Sequence, residues 1–462
     1  MVGCSGALGD RIVLKSVGSM DRSPSISLPN NLGRQVSTAA VETDAQRRTR
    51  SQHGLDWFSF FCANLQTGFG PFVSVYLTTE KWTQTDIGLV LMIGGFVGLF
   101  GQIPGGALVD RARSKTSLCA VAVLMIGCSA LLVASGSVFA LILAAWVLHA
   151  AASTVLSPSI AYVSLQLVGH QGVGKRLGRN ATFASIGSAL AAAAMGACGY
   201  YVSNQAVFFI TAALAVPTLA ALWQIRPPQS VSSDTEAAAI VPPKSSLSTD
   251  LRAFCGQPPL MILAASIALY YLANAAMLPL VGSMLTLRSA HSPTIFIAAC
   301  IIVPQIIVAV VSPMVGAKAD SWGRRPLLLI GFLALPLRGL LLGLVSDPML
   351  LVLVQMLDGV SAAVIGVVVP LIAADVTRHS GRFALAQGVL GTAMGLGAAC
   401  SATIAGVMTD QFGSSTAFFG LTAIAVIAAL VPVIAMPETK DARSSSAGHP
   451  REKRKRRTIT RS

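Results

Sequence analysis

Twelve apolar runs, each close to the roughly 20 residues a helix needs to cross a bilayer core, limit what this chain can fold into more than any other feature. They lie at about 55–78, 86–108, 117–135, 138–166, 179–201, 206–224, 258–285, 294–316, 326–345, 348–371, 382–407 and 414–436. In lipid a backbone must satisfy its own N–H and C=O groups, so runs of this length predict helices. One interval stands out: residues 225–257 contain Pro227, Pro228, Pro242, Pro243 and a run of serines, and read as a linker between two sets of six. The expected architecture is an all-α polytopic membrane protein with bundles at 53–224 and 258–437, a disordered tail at 1–52 and a basic tail at 438–462.

Composition agrees. Hydrophobic residues make up 53% of the 462 and charged residues 11%, too few polar side chains to cover a water-soluble globule of that size. The net charge of +14 does not point to nucleic acid, because the bases are scattered over short loops and tails without aromatic interleaving. Of the 33 Lys and Arg, Lys81 and Arg288 fall in odd-numbered loops and Arg338 falls inside a segment. The others lie in the tails and even-numbered loops. A positive-inside distribution then places both termini in the cytoplasm. The Ala- and Gly-rich composition suggests a bacterial inner membrane. The eight cysteines lie mostly in apolar runs without metal-ligand spacing, and read as small packing residues.

The two sets of six are related. The stretch GGFVGLFGQIPGGALVDRARSKTSL contains Gly106, Asp110, Arg111 and Lys115; VGAKADSWGRRPLLL contains Gly316, Asp320, Gly323, Arg324 and Arg325. Gly106 to Gly316 and Asp110 to Asp320 are both steps of 210, as is Asn64 to Asn274. A glycine, aspartate and basic cluster used twice at one interval implies an internal repeat. A carboxylate at the end of one helix can meet the positive amide end of another.

The run from Gly106 to Lys115, completed by Leu118, resembles the loop between helices 2 and 3 of the major facilitator superfamily, pattern GxLaDrxGrkxxL. Arg113 and Ser114 depart from that pattern, and Lys318 and Ser321 do so in the later copy. The resemblance extends over about residues 55–437 and implies twelve helices in two pseudo-symmetric bundles. It implies further that Asp110 faces the start of segment 11 near Gly381 and Arg382, and Asp320 the start of segment 5 near Gly178. Segments 1, 4, 7 and 10 would line a central chamber.

Ionisable groups at membrane depth are costly and mark function by default. Three stand clearly inside segments: His149, Arg338 and Asp358. His149, Ser153 and Ser157 form one helical stripe; Gln355, Asp358 and Ser361 form another. With Asn64, Tyr270, Tyr271 and Asn274 these are the expected substrate and proton pathway. Arg338 and Asp358 fall at similar depth, either as a structural ion pair or as a coupling site. The imidazole of His149, which titrates near neutral pH, is the other candidate proton carrier.

The expected function is secondary transport by alternating access in a monomer: proton-coupled efflux of a small solute, without cofactor or metal. Gly187 and Gly196 match the glycine spacing of drug-antiporter members, without their proline. Pro437-Glu438-Thr439-Lys440 matches the PETK of sugar porters, whereas QIRPPQS lacks their acidic-Pro-Arg signature. Uptake of a sugar or organic acid is therefore the alternative, and a non-transporting sensor or scaffold a third. An enzyme is not expected: no nucleophile-base pair, metal cluster or GxxxxGK[ST] loop is present.

Overall fold

The computed structural model describes residues 30–67, 69–226, 247–288, 293–378 and 380–439. The chain divides into two units, Met1–Arg47 and Arg48–Ser462. Helix α1 (Asn30–Thr67) begins in the first; everything below concerns the second. The expected disordered tail is thus corrected in part. Residues 1–29 lie outside the described residues, but from Asn30 the chain is helical. After Pro29 there is no proline before Pro71, and Ala, Gln, Glu and Arg between them are good helix formers.

The first crossing continues from α1 into α2 (Gly70–Thr79). It is followed by α3 (Gln84–Arg111), α4 (Lys115–Ser135), α5 (Phe139–Tyr201), α6 (Asn204–Ala213) and α7 (Ala215–Trp223). After the linker come α8 (Leu247–Cys255), α9 (Pro258–Asn274), α10 (Met277–Arg288), α11 (Pro293–Trp322), α12 (Arg324–Leu344), α13 (Pro348–Val376), α14 (Phe383–Phe412) and α15 (Ser414–Ala435). Helix α8 lies in the interval read as linker, whose residues 227–246 are outside the described ones. No strand occurs among the described residues.

Because these helices are apolar on nearly every side, their ends are set by caps rather than by a change of face. Thr83, Ser114, Ser203 and Asp347 accept the backbone amides of Asp86, Ser117, Ala206 and Leu350, and so open α3, α4, α6 and α13. Ten helices among the described residues are long and apolar enough to cross a bilayer. The 63-residue α5 is one of them, although Gly169 (φ 71°, ψ 179°) turns the chain back inside it. Segments 4 and 5 are therefore joined by a single glycine, and the fifth starts at Gly169, not at 179 as expected. Gly172, Gly174, Lys175, Arg176 and Gly178 look like a loop in sequence. They are helical because Gly174 and Gly178 pack on α11 and the Arg176 charge is met internally.

Two large apolar cores form, beside two small clusters at Val109, Val155 and Ala384 and at Ala191, Met195 and Val207. One draws on residues from Leu55 to Ile225. The other draws on residues from Phe254 to Met436, with Ala161, Val173 and Leu177 of α5 added. The halves meet where α3 runs along α14 and α5 along α11. Lipid supplies no hydrophobic force between helices, so backbone proximity must hold them. A Cβ on Gly106 would lie 2.2 Å from the Ala384 carbonyl oxygen, and one on Gly316 2.3 Å from that of Gly174.

Candidate functional site

The first basic loop contains the most direct link between the halves. Asp110, 6% exposed near the end of α3, accepts the amide of Ala384 at 2.9 Å and that of Leu385 at 2.8 Å. It fills the N-terminus of α14, where free amides and the helix dipole favour an anion. Lys115 turns back over α3 and donates its Nζ to the carbonyls of Val109, Asp110 and Ala112, which holds the loop around the aspartate. Arg111 ends α3 on its exposed side. Asp110 thus meets the start of segment 11, at Ala384 and Leu385 rather than at Gly381 and Arg382.

The second loop is built differently. Arg324 donates to Asp375 at 2.8 Å and lies 3.4 Å from Asp320, whose side chain is 35% exposed. Gly323 (φ +96°) leads into α12, and Glu438 accepts the amides of Arg324 and Arg325 at 2.9 and 3.1 Å. The glutamate of the PETK sequence is thus the anion on α12. Arg325 also donates to the Val433 carbonyl. On the side of α11 that leads to Asp320, this helix packs along segment 5, with Gly316 against Gly174 and Ser312 against Gly178.

At membrane depth the second half assembles a network (Fold segments 7, 9 and 10). Arg338 on α12 donates from Nη1 to Asp358 Oδ1 at 2.6 Å and to Asn274 Oδ1 at 2.5 Å; from Nε and Nη2 it donates to Gln355 Oε1 at 3.1 and 2.7 Å. The arginine is 1% exposed and the aspartate 22%, so the carboxylate is the more open side of the pair. Behind it Tyr270 donates to Ser361, which donates to the Gly331 carbonyl. Tyr271 is half-buried beside its neighbour's ring.

Among the described residues, the first half forms no equivalent network at this depth. Asn64 is buried and donates to its own helix at the Phe60 carbonyl, against Gly187. Ser153 donates to the His149 carbonyl one turn back. The His149 ring stacks on Phe69 at 4.1 Å between centroids, near Trp146. So Arg338, Asp358, Asn274 and Gln355 come together, whereas Asn64 and Ser153 bond within their own helices and His149 stacks on Phe69 with its Nδ1 unpartnered.

Sequence reasoning missed one charged cluster. Asp56, 3% exposed, holds Arg176 and, through both carboxylate oxygens, Arg179; Arg176 also donates to Asn180 and to the Gln52 carbonyl, and Asn180 donates to Ser164. It ties α1 to the second helix of α5. The signal was there: an aspartate just inside the first apolar run, and two arginines at i, i+3 followed by asparagine. It was hidden by reading residues 167–178 as a loop.

Long apolar helices in two packed sets, joined at the Asp110 carboxylate of one of two repeated basic loops and carrying an ion pair at membrane depth, define a polytopic membrane carrier. The profile of the Major Facilitator Superfamily matches residues 57–335 and again 263–461, and the chain belongs to this superfamily of transporters. It is 36% identical over 401 residues to an uncharacterized MFS-type transporter of Mycobacterium tuberculosis, a match covering 85% of this chain and 94% of that protein. Multidrug resistance protein 2 of Bacillus subtilis is 28% identical over 180 residues, 39% of this chain and 44% of its own. The crystal structure of the human organic anion transporter MFSD10 has the same fold, with a TM-score of 0.60 at 13% identity over 84% of this chain and 99% of that one.

Proposed function

We propose that the protein is a proton-coupled exporter of a small solute, working by alternating access with both termini in the cytoplasm. The observation that carries the coupling is the Arg338–Asp358 pair, in which the buried arginine backs a carboxylate that is 22% exposed. A proton or a solute group can reach that acid without unfolding anything, and either would compete with Arg338 for it. The distant likeness to a multidrug resistance protein favours export.

In this reading the basic loops face the cytoplasm, and the twelve crossings are reached by taking α5 as two and α1 with α2 as one. The contacts of Leu99, Gln102, Gly106 and Asp110 with α14, and of Gly174, Gly178 and Thr182 with α11, lie toward the basic-loop end. They close that end and represent the outward-facing half of the cycle. Asp110 is the latch, since its bonds to α14 exist only while the halves are together. The deciding experiment is flux in sealed proteoliposomes, with a panel of toxic compounds first screened by deletion and overexpression. Export accelerated by an inward proton gradient supports the proposal; gradient-driven uptake, or no movement of any compound, overturns it.

A further inference from the structure

The seventh crossing is broken beside the ion pair. Pro279 has no N–H to offer the Ala275 carbonyl four residues earlier, so the helical ladder stops between Asn274 and Met277. The amide of Ala276 leaves the ladder as well and donates to Ser401 Oγ on α14 at 3.0 Å. Asn274, the last residue of α9, is bound to the same Arg338 nitrogen that holds Asp358. The other groups about the pair are Gln355 of α13, Tyr270 and Tyr271 of α9, and Cys300 of α11. Asp358 is the one carboxylate among them.

From this we infer that Asn274 is a positioning residue through which the charge state of Asp358 sets the conformation of the break between α9 and α10. The inference rests on the proposed role of Asp358 as the coupling acid. With its carboxylate neutralised, Arg338 is left at 1% exposure with no counter-charge, held only by neutral oxygens such as those of Asn274 and Gln355. A guanidinium so placed is driven toward water. Its departure takes the Arg338 bond from the last turn of α9, and α10 is then tied to the bundle near the break by Ser401. Loss of one charge thereby becomes motion of the outer half of a helix, without contact between Asp358 and α10.

The test is amide hydrogen exchange of the purified full-length protein at a single pH, read over the amides from Ala275 to Gly282. Asp358→Asn is expected to raise exchange there about tenfold. Asn274→Ala is expected to raise it equally, with nothing added by combining the two. Asn274→Asp in the Asp358→Asn background is expected to restore protection, because it returns a carboxylate to the same Arg338 nitrogen. A merely structural asparagine would not give that rescue. Unchanged exchange in Asp358→Asn, or an increase of the same size with and without Asn274, overturns the inference; if Asn274→Ala does not fold, the presence or absence of rescue by Asn274→Asp decides. Flux separates this from the coupling role. Lost proton drive with unchanged exchange refutes the joint alone, and retained proton drive with raised exchange refutes the coupling alone.

Discussion

Arg338 lies behind Asp358: the guanidinium is 1% exposed and its carboxylate partner, 2.6 Å away, is 22% exposed. Removing either charge alone leaves the other unpaired at membrane depth, at a cost of about 3–5 kcal/mol by analogy with buried pairs in soluble proteins. Arg338→Leu and Asp358→Leu should therefore each lower the thermal unfolding midpoint sharply, and the double variant should recover most of it. If the pair is only structural, that double variant also keeps proton-driven flux; we expect it to have lost the dependence on the gradient.

The bonds from Ala384 and Leu385 to Asp110 are charge-assisted and buried. Asp110→Ala should weaken closure by about 1–3 kcal/mol, which is roughly a 5- to 150-fold change in the open fraction. Gly106→Ala should do the same by another route, since its Cβ would lie 2.2 Å from a backbone oxygen that has nowhere to go. Thiol labelling of a cysteine placed at Gln102, against Gly388 of α14, is expected to speed up in both variants. Unchanged labelling would remove Asp110 as the latch.

Arg176 and Arg179 share Asp56 but differ in environment. Arg176 is 3% exposed and Arg179 52%. Arg179→Gln should thus cost under about 1 kcal/mol, as exposed ion pairs do, and Asp56→Asn about 3–5 kcal/mol, because it strands Arg176. The unfolding midpoints of the two variants in the same detergent check the ranking.

Glu438 caps α12 by accepting two backbone amides. Truncation after Pro437 should destabilise the protein by about 1 kcal/mol, and truncation after Lys440 should not, which separates the cap from the basic tail beyond it. Gly323→Ala should also destabilise, because a side chain at φ +96° is strained and would press on the Glu438 carboxylate.

The apolar runs determined by themselves that the chain is a bundle of membrane-crossing helices, since lipid demands internally paired backbones and continuous apolar runs of about 20 residues fit helices rather than barrel strands. The repeat of Asp110 at Asp320 likewise revealed the two halves, and the isolation of Arg338 and Asp358 among apolar residues marked them as partners. Polarity along the chain could not say what a charge is paired with. The two basic loops share one spacing, yet the second adds partners the repeat does not announce: Arg324, beside Asp320, also pairs with Asp375 and gives its amide to Glu438, both from elsewhere in the fold. Asn64 and Asn274 occupy equivalent positions, but Asn274 finds an arginine across the bundle and Asn64 finds its own helix. The start of segment 5 was obscured for the same reason: Arg176 reads as a loop residue until Asp56, 120 positions earlier, is beside it. A buried charge is tolerable only where its counter-charge arrives, and that is decided by packing in three dimensions.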